Sequence, residues 1–152
     1  MRNCTLLIVV AVVGLLATGC SKQGNQALYN YLGDPVAPPA GMDTAYTKQG
    51  LTSAMQDAAQ AANVTLTRVE VDDSEFPFLV GVVCANKGDM EKLKEQIRKM
   101  DVYNYTGGVG GDTTMVMDLV PYRAFPADAH QRIYHRMMLR EEMLSDKISG
   151  RR

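Results

Sequence analysis

Residues 64 to 71, VTLTRVEV, are rich in β-branched side chains and alternate apolar with polar positions. That is the period-2 pattern of a half-buried strand. The apolar parity shifts between Leu66 and Val69, so a strand that keeps one core face needs a bulge near Thr67-Arg68. Asp72-Asp73-Ser74-Glu75 reads as a solvated acidic turn, and FPFLVGVVCA, residues 76 to 85, as the second strand of an antiparallel hairpin. This second strand is apolar at both parities, which predicts a central strand covered on both faces. TTMVMDLVPY, residues 113 to 122, repeats the two-sided pattern. Before it, Asp101 to Thr106 reads as a short strand and GGVGGD, residues 107 to 112, as a flexible loop.

Three stretches change to helical spacing. Within residues 43 to 62, Leu51, Ala54, Met55, Ala58, Ala61 and Ala62 fall on one face, with Asp43 or Thr44 as the cap. Asn86 caps a second helix, Asp89 suits its positive end, and Met90, Leu93, Ile97 and Met100 form its stripe. Glu95 and Lys99 add a favourable i,i+4 pair. Pro126 opens a last helix that runs to about Lys147, with Ile133, Tyr134, Met137, Leu144 and Ile148 along one side.

A hairpin that feeds a helix and returns to the sheet follows the split βαβ logic. The expected class is therefore α+β: a two-layer sandwich, mostly antiparallel, of ferredoxin-like (split βαβ) character, plus a C-terminal helix. The first strand of that plan is missing or lies in the preceding tether. Two helices can cover one sheet face. The last helix is expected to fold back across the other, because Arg123 to Pro126 is a short connection and large exposed apolar patches are rare on monomers.

The N-terminus follows different rules. Arg2 is followed by LLIVVAVVGLL, Leu6 to Leu16, with no charge. As a helix this run is about 16 Å long against a hydrocarbon core of about 30 Å, so it suits a cleaved secretory signal rather than a span. Small residues Ala17-Thr18-Gly19 lead to Cys20, and Ser21-Lys22 follow. LATGC resembles the lipobox of bacterial lipoprotein precursors, although Ala17 stands where the common pattern has Leu. The resemblance covers residues 1 to 21. It implies cleavage before Cys20, a diacylglyceryl group on its thiol and acylation of the new amino group. Ser21, where an aspartate would signal retention, implies the outer membrane, facing the periplasm, if the source is Gram-negative. One acyl chain binds membranes only marginally, at about 0.8 kcal/mol per buried CH₂; two or three on one cysteine hold firmly.

The resulting organisation is a signal peptide, residues 1–19; a lipidated N-terminus and Pro/Gly-rich tether, 20–41; one α+β domain, 42–148; and a polar tail, 149–152. Within the tether, ALYNYLG, residues 27 to 33, suits either a helical turn or a docking strand. Cys4 leaves with the signal and Cys20 becomes a thioether, so Cys84 has no partner for an intramolecular disulfide. Arg2 is the one charge in the leader, which leaves the mature chain slightly more negative than the formal −1 of the whole. Without a basic excess, nucleic-acid binding is disfavoured.

Candidate chemistry is sparse. GGVGG, residues 107 to 111, has no following Gly-Lys-Ser/Thr to cradle a phosphate. His130 and His135 are five residues apart, which turns them about 140° from each other on a helix; that is not the i,i+4 spacing of a metal pair. Asp128 and His135 share a face. Cys84 points inward from an apolar strand, where a thiol is inert. Asp72, Asp73 and Glu75 lack the pattern of a dedicated calcium loop. No catalytic residue, metal site or cofactor is therefore assigned, and the one site residue is Cys20, for lipidation. The expected function is a non-enzymatic, membrane-tethered binding or assembly module of the cell envelope, with the membrane as one partner through Cys20 and an envelope protein or a second copy as another. The alternative is a small envelope enzyme or ligand sensor whose site gathers Cys84, a histidine and a carboxylate.

Overall fold

The computed structural model describes residues 27–100, 108–119 and 130–150. The predicted strand at 101 to 106, the start of the last helix at Pro126, Asp128 and the lipobox lie outside the described residues. Two compact units divide the chain, one ending at Asp34 and one beginning at Pro35. In the first, residues 27–31 form a short helical turn, closed by Leu32 N–H donating to the carbonyls of Leu28 and Tyr29.

The second unit is an α+β domain built on a four-stranded antiparallel sheet. Strands β1 (Leu66–Asp72) and β2 (Leu79–Cys84) form the predicted hairpin. Its register slips between Leu66 and Arg68, the bulge that the parity shift requires. Helix α1 (Lys48–Ala62) precedes the hairpin and α2 (Lys87–Ile97) follows it. Strands β3 (Gly108–Gly110) and β4 (Thr114–Asp118) come next, and α3 (His130–Ser149) ends the fold. Three residues of the glycine run are thus strand, while Gly111 and Asp112 stay in the turn to β4. Gly108 to Gly110 pairs with Met117 to Met115 as an edge strand, because an edge needs only backbone groups on one side.

The strand order is β1-β2-β4-β3. β2 and β3 are each antiparallel to β4, so they run parallel to each other on either side of it. With α2 between them in the chain they form a split βαβ unit. The leading strand, expected to be missing or to lie in the tether, has its place taken by β4, from the C-terminal side of the sheet-forming sequence.

Alternation divides β2 and β4 cleanly. Val80, Val82, Cys84, Met115 and Met117 face α1 and α2, where they join Leu51, Met55, Ala58, Met90, Leu93 and Ile97 in the main core. Leu79 and Val116 face the opposite way, against Met137, Leu144 and Ile148 of α3. The last helix therefore folds back over the second face as expected, and it approaches all four strands. Tyr134 departs from the expected stripe: it is 44% exposed, because the buried arc of α3 centres on Ile133, Met137 and Leu144.

Capping explains where the helices start. The predicted first helix divides into a 3-10 turn at Thr44–Tyr46, capped by Asp43, and α1, whose Thr47 hydroxyl accepts from Gly50 N–H at 3.2 Å. Gly50 lies so close to the Thr44 and Ala45 carbonyls that any side chain there would overlap them. Ala61 is exposed while Ala59 is buried, so the apolar arc of α1 sits one step from the predicted one. Asn86 caps α2 as predicted, its side chain accepting from Asp89 N–H at 3.0 Å. The Glu95–Lys99 pair also forms, at 3.5 Å on the surface.

Gly81 sets how closely α3 can lie on the sheet. A Cβ there would sit 3.1 Å from Ile148 Cδ1 and 3.3 Å from Leu144 Cγ. Gly81→Val should overpack this seam and cost about 1–3 kcal/mol of stability, read from the midpoint of a urea unfolding curve.

Candidate functional site

α3 is divided lengthwise into sectors. Ile133, Met137, Leu144 and Ile148 form the apolar centre, the last three packed on Leu79 of β2 and Val116 of β4. Arg136, Arg140 and Lys147 lie along one flank, three and seven residues after Ile133 and again near its end, so helical geometry keeps them in line. That flank lies over the charged face of β1. In β1 the α1 face carries Val69 and Val71, so alternation sends Arg68, Glu70 and Asp72 to the α3 face.

The result is an ordered ladder of ion pairs. Arg136 Nε donates to Glu75 Oε2 at 2.8 Å and to Oε1 at 3.2 Å, with both side chains at most 2% exposed. One helical turn on, Arg140 Nε donates to Asp72 Oδ2 at 2.8 Å, its Nη1 to Pro77 O at 2.9 Å and its Nη2 to Asp72 O at 3.2 Å. Lys147 pairs with Glu70, and Arg68 Nη1 donates to Lys147 O at 3.1 Å. The partners descend from Glu75 to Glu70 as the helix advances, so α3 runs antiparallel to β1. A guanidinium fork suits this task because it satisfies several acceptors at fixed angles.

Glu75 also organises the start of the domain. Its Oε2 accepts from Val36 N–H at 3.0 Å, and Val36 O accepts from Phe76 N–H at 2.8 Å. Val36, Met42 and Tyr46 pack with Phe76 and Ile133 in a small cluster of their own. Thus one carboxylate joins the first residues of the domain, the β1–β2 turn and the last helix. The expectation of a solvated acidic turn holds for Asp73, which makes an exposed pair with Lys48, but fails for Glu75, which the arginines of α3 draw inside.

The opposite flank of α3 has a different balance. Glu141 is 6% exposed and Asp118, on β4, 2% exposed. Burial and the nearby Asp118 push the Glu141 carboxyl up from 4.5 to about 7, against the opposing pull of Arg140. Asp72 goes the other way. Burial alone would raise it, but the charge and hydrogen bond of Arg140, with hydrogen bonds from Ser74, hold it below its ordinary value.

The sequence-marked residues are not brought together. Cys84 belongs to the core on the α1–α2 face, and its thiol is pushed up by burial and by Asp89. His130 and His135 ride on α3, across the sheet, and the His135 ring lies 5.9 Å from that of Tyr134 near the solvent. Among the described residues no group of three or more His, Cys, Asp or Glu could hold a metal ion. Cys20 lies outside the described residues. No described helix is long and apolar enough to cross a membrane. Two open grooves flank α1: one of about 850 Å³ at its start, lined by Thr44, Thr47, Lys48, Ser53 and Asp57 among others, and one of about 550 Å³ beside β1.

Compared with protein-family models, with curated proteins and with solved structures, the chain matches none.

Two expected outcomes follow from the flanks of α3. Arg136→Met leaves Glu75 buried without its main partner and should cost about 3–5 kcal/mol in chemical unfolding. Pairing it with Glu75→Gln should lose less than the two single changes together, by about 0.5–3 kcal/mol in a double-mutant cycle. On the other flank, folded Glu141 keeps its proton between about pH 4.5 and 7 while the unfolded chain has released it. Its contribution therefore weakens stability as pH rises through that window, by roughly 3 kcal/mol in all. Glu141→Gln should match the parent chain near pH 4 and exceed it near pH 8, measured by urea unfolding across pH.

Proposed function

We propose that the chain is a lipid-anchored protein of the bacterial cell envelope, whose α+β domain is a non-enzymatic binding or assembly module. LATGC followed by Ser21-Lys22, behind an uncharged run too short to span, carries this reading. Cys20 is the attachment point, and acyl chains on it hold the domain at the membrane surface. After cleavage, residues 21 to 34 separate the lipid from the compact unit that begins at Pro35. This segment is polar at first, then passes through Gly33-Asp34-Pro35 into the Pro38-Pro39 pair, which favours an extended path.

The binding-module reading is supported by where the polar groups go. On the arginine flank of α3 the buried charges are engaged with one another and with a backbone carbonyl, so they hold the fold together. Cys84 and the histidines stand on opposite sides of the sheet, so among the described residues they do not form a nucleophile and base. The open grooves along α1 offer Thr, Ser, Gln, Lys and Asp side chains, the chemistry of a surface that meets a partner.

Intact mass of the membrane-extracted protein tests the anchor. The expected species begins at Cys20 and carries a diacylglyceryl group and a further acyl chain. Cys20→Ser should lose that mass and should no longer yield a processed, membrane-held form. A mature chain that starts at another residue, or a processed Cys20→Ser protein still in the membrane, would overturn the reading.

A further inference from the structure

β1 is an outer strand of the sheet, and among the described residues no strand pairs with its far side. Its backbone polarity can be read from its neighbour. Cys84 N–H donates to Thr113 O, on the β4 side. By alternation Val82 and Val80 also turn their backbone groups toward β4, while Val83, Gly81 and Leu79 turn theirs toward β1. The Thr67 hydroxyl bond to Val83 O agrees with this. The partners of those residues are Arg68, Glu70 and Asp72, so these three spend their backbone groups on β2. Val69 and Val71 therefore present N–H and C=O outward. α1 stands back from this edge and leaves the groove of about 550 Å³, lined by Thr52, Gln56, Ala59 and Gln60 with β1 itself. An incoming strand has room there.

We propose that this edge pairs with the β1 of a second copy, antiparallel about a two-fold axis at Val69, and so joins two four-stranded sheets into one. The charges on β1 select the occupant and the register. An axis at Val69 sets Arg68 opposite the second copy's Glu70, and Glu70 opposite its Arg68. An axis at Arg68 or at Glu70 would instead set like charges face to face, and one at Val71 would oppose Glu70 to Asp72. Opposite charges across a strand pair are stabilising and like charges destabilising. The hydrogen-bond phase agrees independently, because Val69 is one of the residues whose backbone groups face outward. Arg68 and Glu70 already lie side by side in one chain, with a 2.6 Å contact, and their side chains keep exposures of 42% and 18%. The same two charges thus lie at the seam, in reach of the facing pair. Isologous pairing of this kind closes at two copies, since each sheet offers one such edge. Among the described residues, the short β3 offers only three residues at the other end of the sheet. This pairing rests on β1 alone and is independent of lipidation at Cys20.

Site-directed cross-linking of the full chain in detergent tests both the contact and its register. In an antiparallel hydrogen-bonded pair the facing Cα atoms are about 5.5 Å apart, within disulfide reach. Val69→Cys should therefore give a disulfide-linked dimer under mild oxidation. Thr67→Cys should not, because its copies lie about 14 Å apart along the strands at roughly 3.4 Å per residue. The parent chain, which keeps Cys4, Cys20 and the buried Cys84, is the control. Sedimentation in the same detergent gives the second readout. Arg68→Glu and Glu70→Arg should each weaken the dimer about tenfold or more, and the double charge exchange should restore it. A parent chain that sediments as a monomer would overturn the proposal. So would Thr67→Cys linking as readily as Val69→Cys, a double exchange no better than the single changes, or an edge occupied by a different polypeptide.

Discussion

β2 is apolar on both faces and β4 is buried on both, and most of the architecture follows from hiding them twice. A strand with Val80 and Val82 on one side and Leu79 and Val83 on the other cannot rest in a sheet with one wet face. α1 and α2 cover the first side with small and flexible residues, among them Ala54, Ala58, Met55 and Met90. These let two helices lie close over a narrow sheet. α3 must then serve the second side alone, which is why it runs for twenty residues, long enough to cross the four strands.

Apolar contact alone would leave α3 free to slide or rotate, because burial of methyl and thioether groups is non-directional. The ion-pair ladder supplies direction. Arg136, Arg140 and Lys147 meet Glu75, Asp72 and Glu70 in one order, and a shift by a turn would leave buried charges unpaired. Gly81 adds a steric stop, since the helix can approach β2 closely at that one place. The far flank is less settled in charge. Glu141 and Asp118 put two carboxyl groups on the buried side, and the proton held by Glu141 limits their repulsion. One flank of the helix is therefore stronger when its acid is ionised and the other when its acid is neutral.

Much of this was legible in the chain wherever side chains alternate. The parity shift at Leu66 to Val69 located the bulge, and the two-sided runs identified the central strands. Legibility ended where the pattern had nothing to alternate. Gly108 to Gly110 has one side chain beyond hydrogen, so its strand is visible only in backbone pairing. The buried charges were hidden for another reason. Arg, Glu and Asp are ordinarily solvated, so Glu75 read as a turn residue, and Arg136 and Arg140 were not singled out. One signal was available: Arg136 and Arg140 fall beside Ile133, Met137 and Leu144 on the helical wheel, within the arc that α3 buries. The turn that brings Val36 to Glu75 needed the folded chain.

That last contact gives the domain a mechanical character. Val36 is gripped at both its N–H and its C=O, by Glu75 and by Phe76, and the same Glu75 carries Arg136 of α3. Tension arriving along the chain from residue 34 meets this point first. It is delivered to a carboxylate already shared with the last helix, so the load divides between the β1–β2 turn and α3 before it reaches the hydrophobic centre. Behind the Val36 clasp, Met42 and Tyr46 pack on Phe76 and Ile133, so a pull on Val36 is backed by apolar contact with the same turn and the same helix.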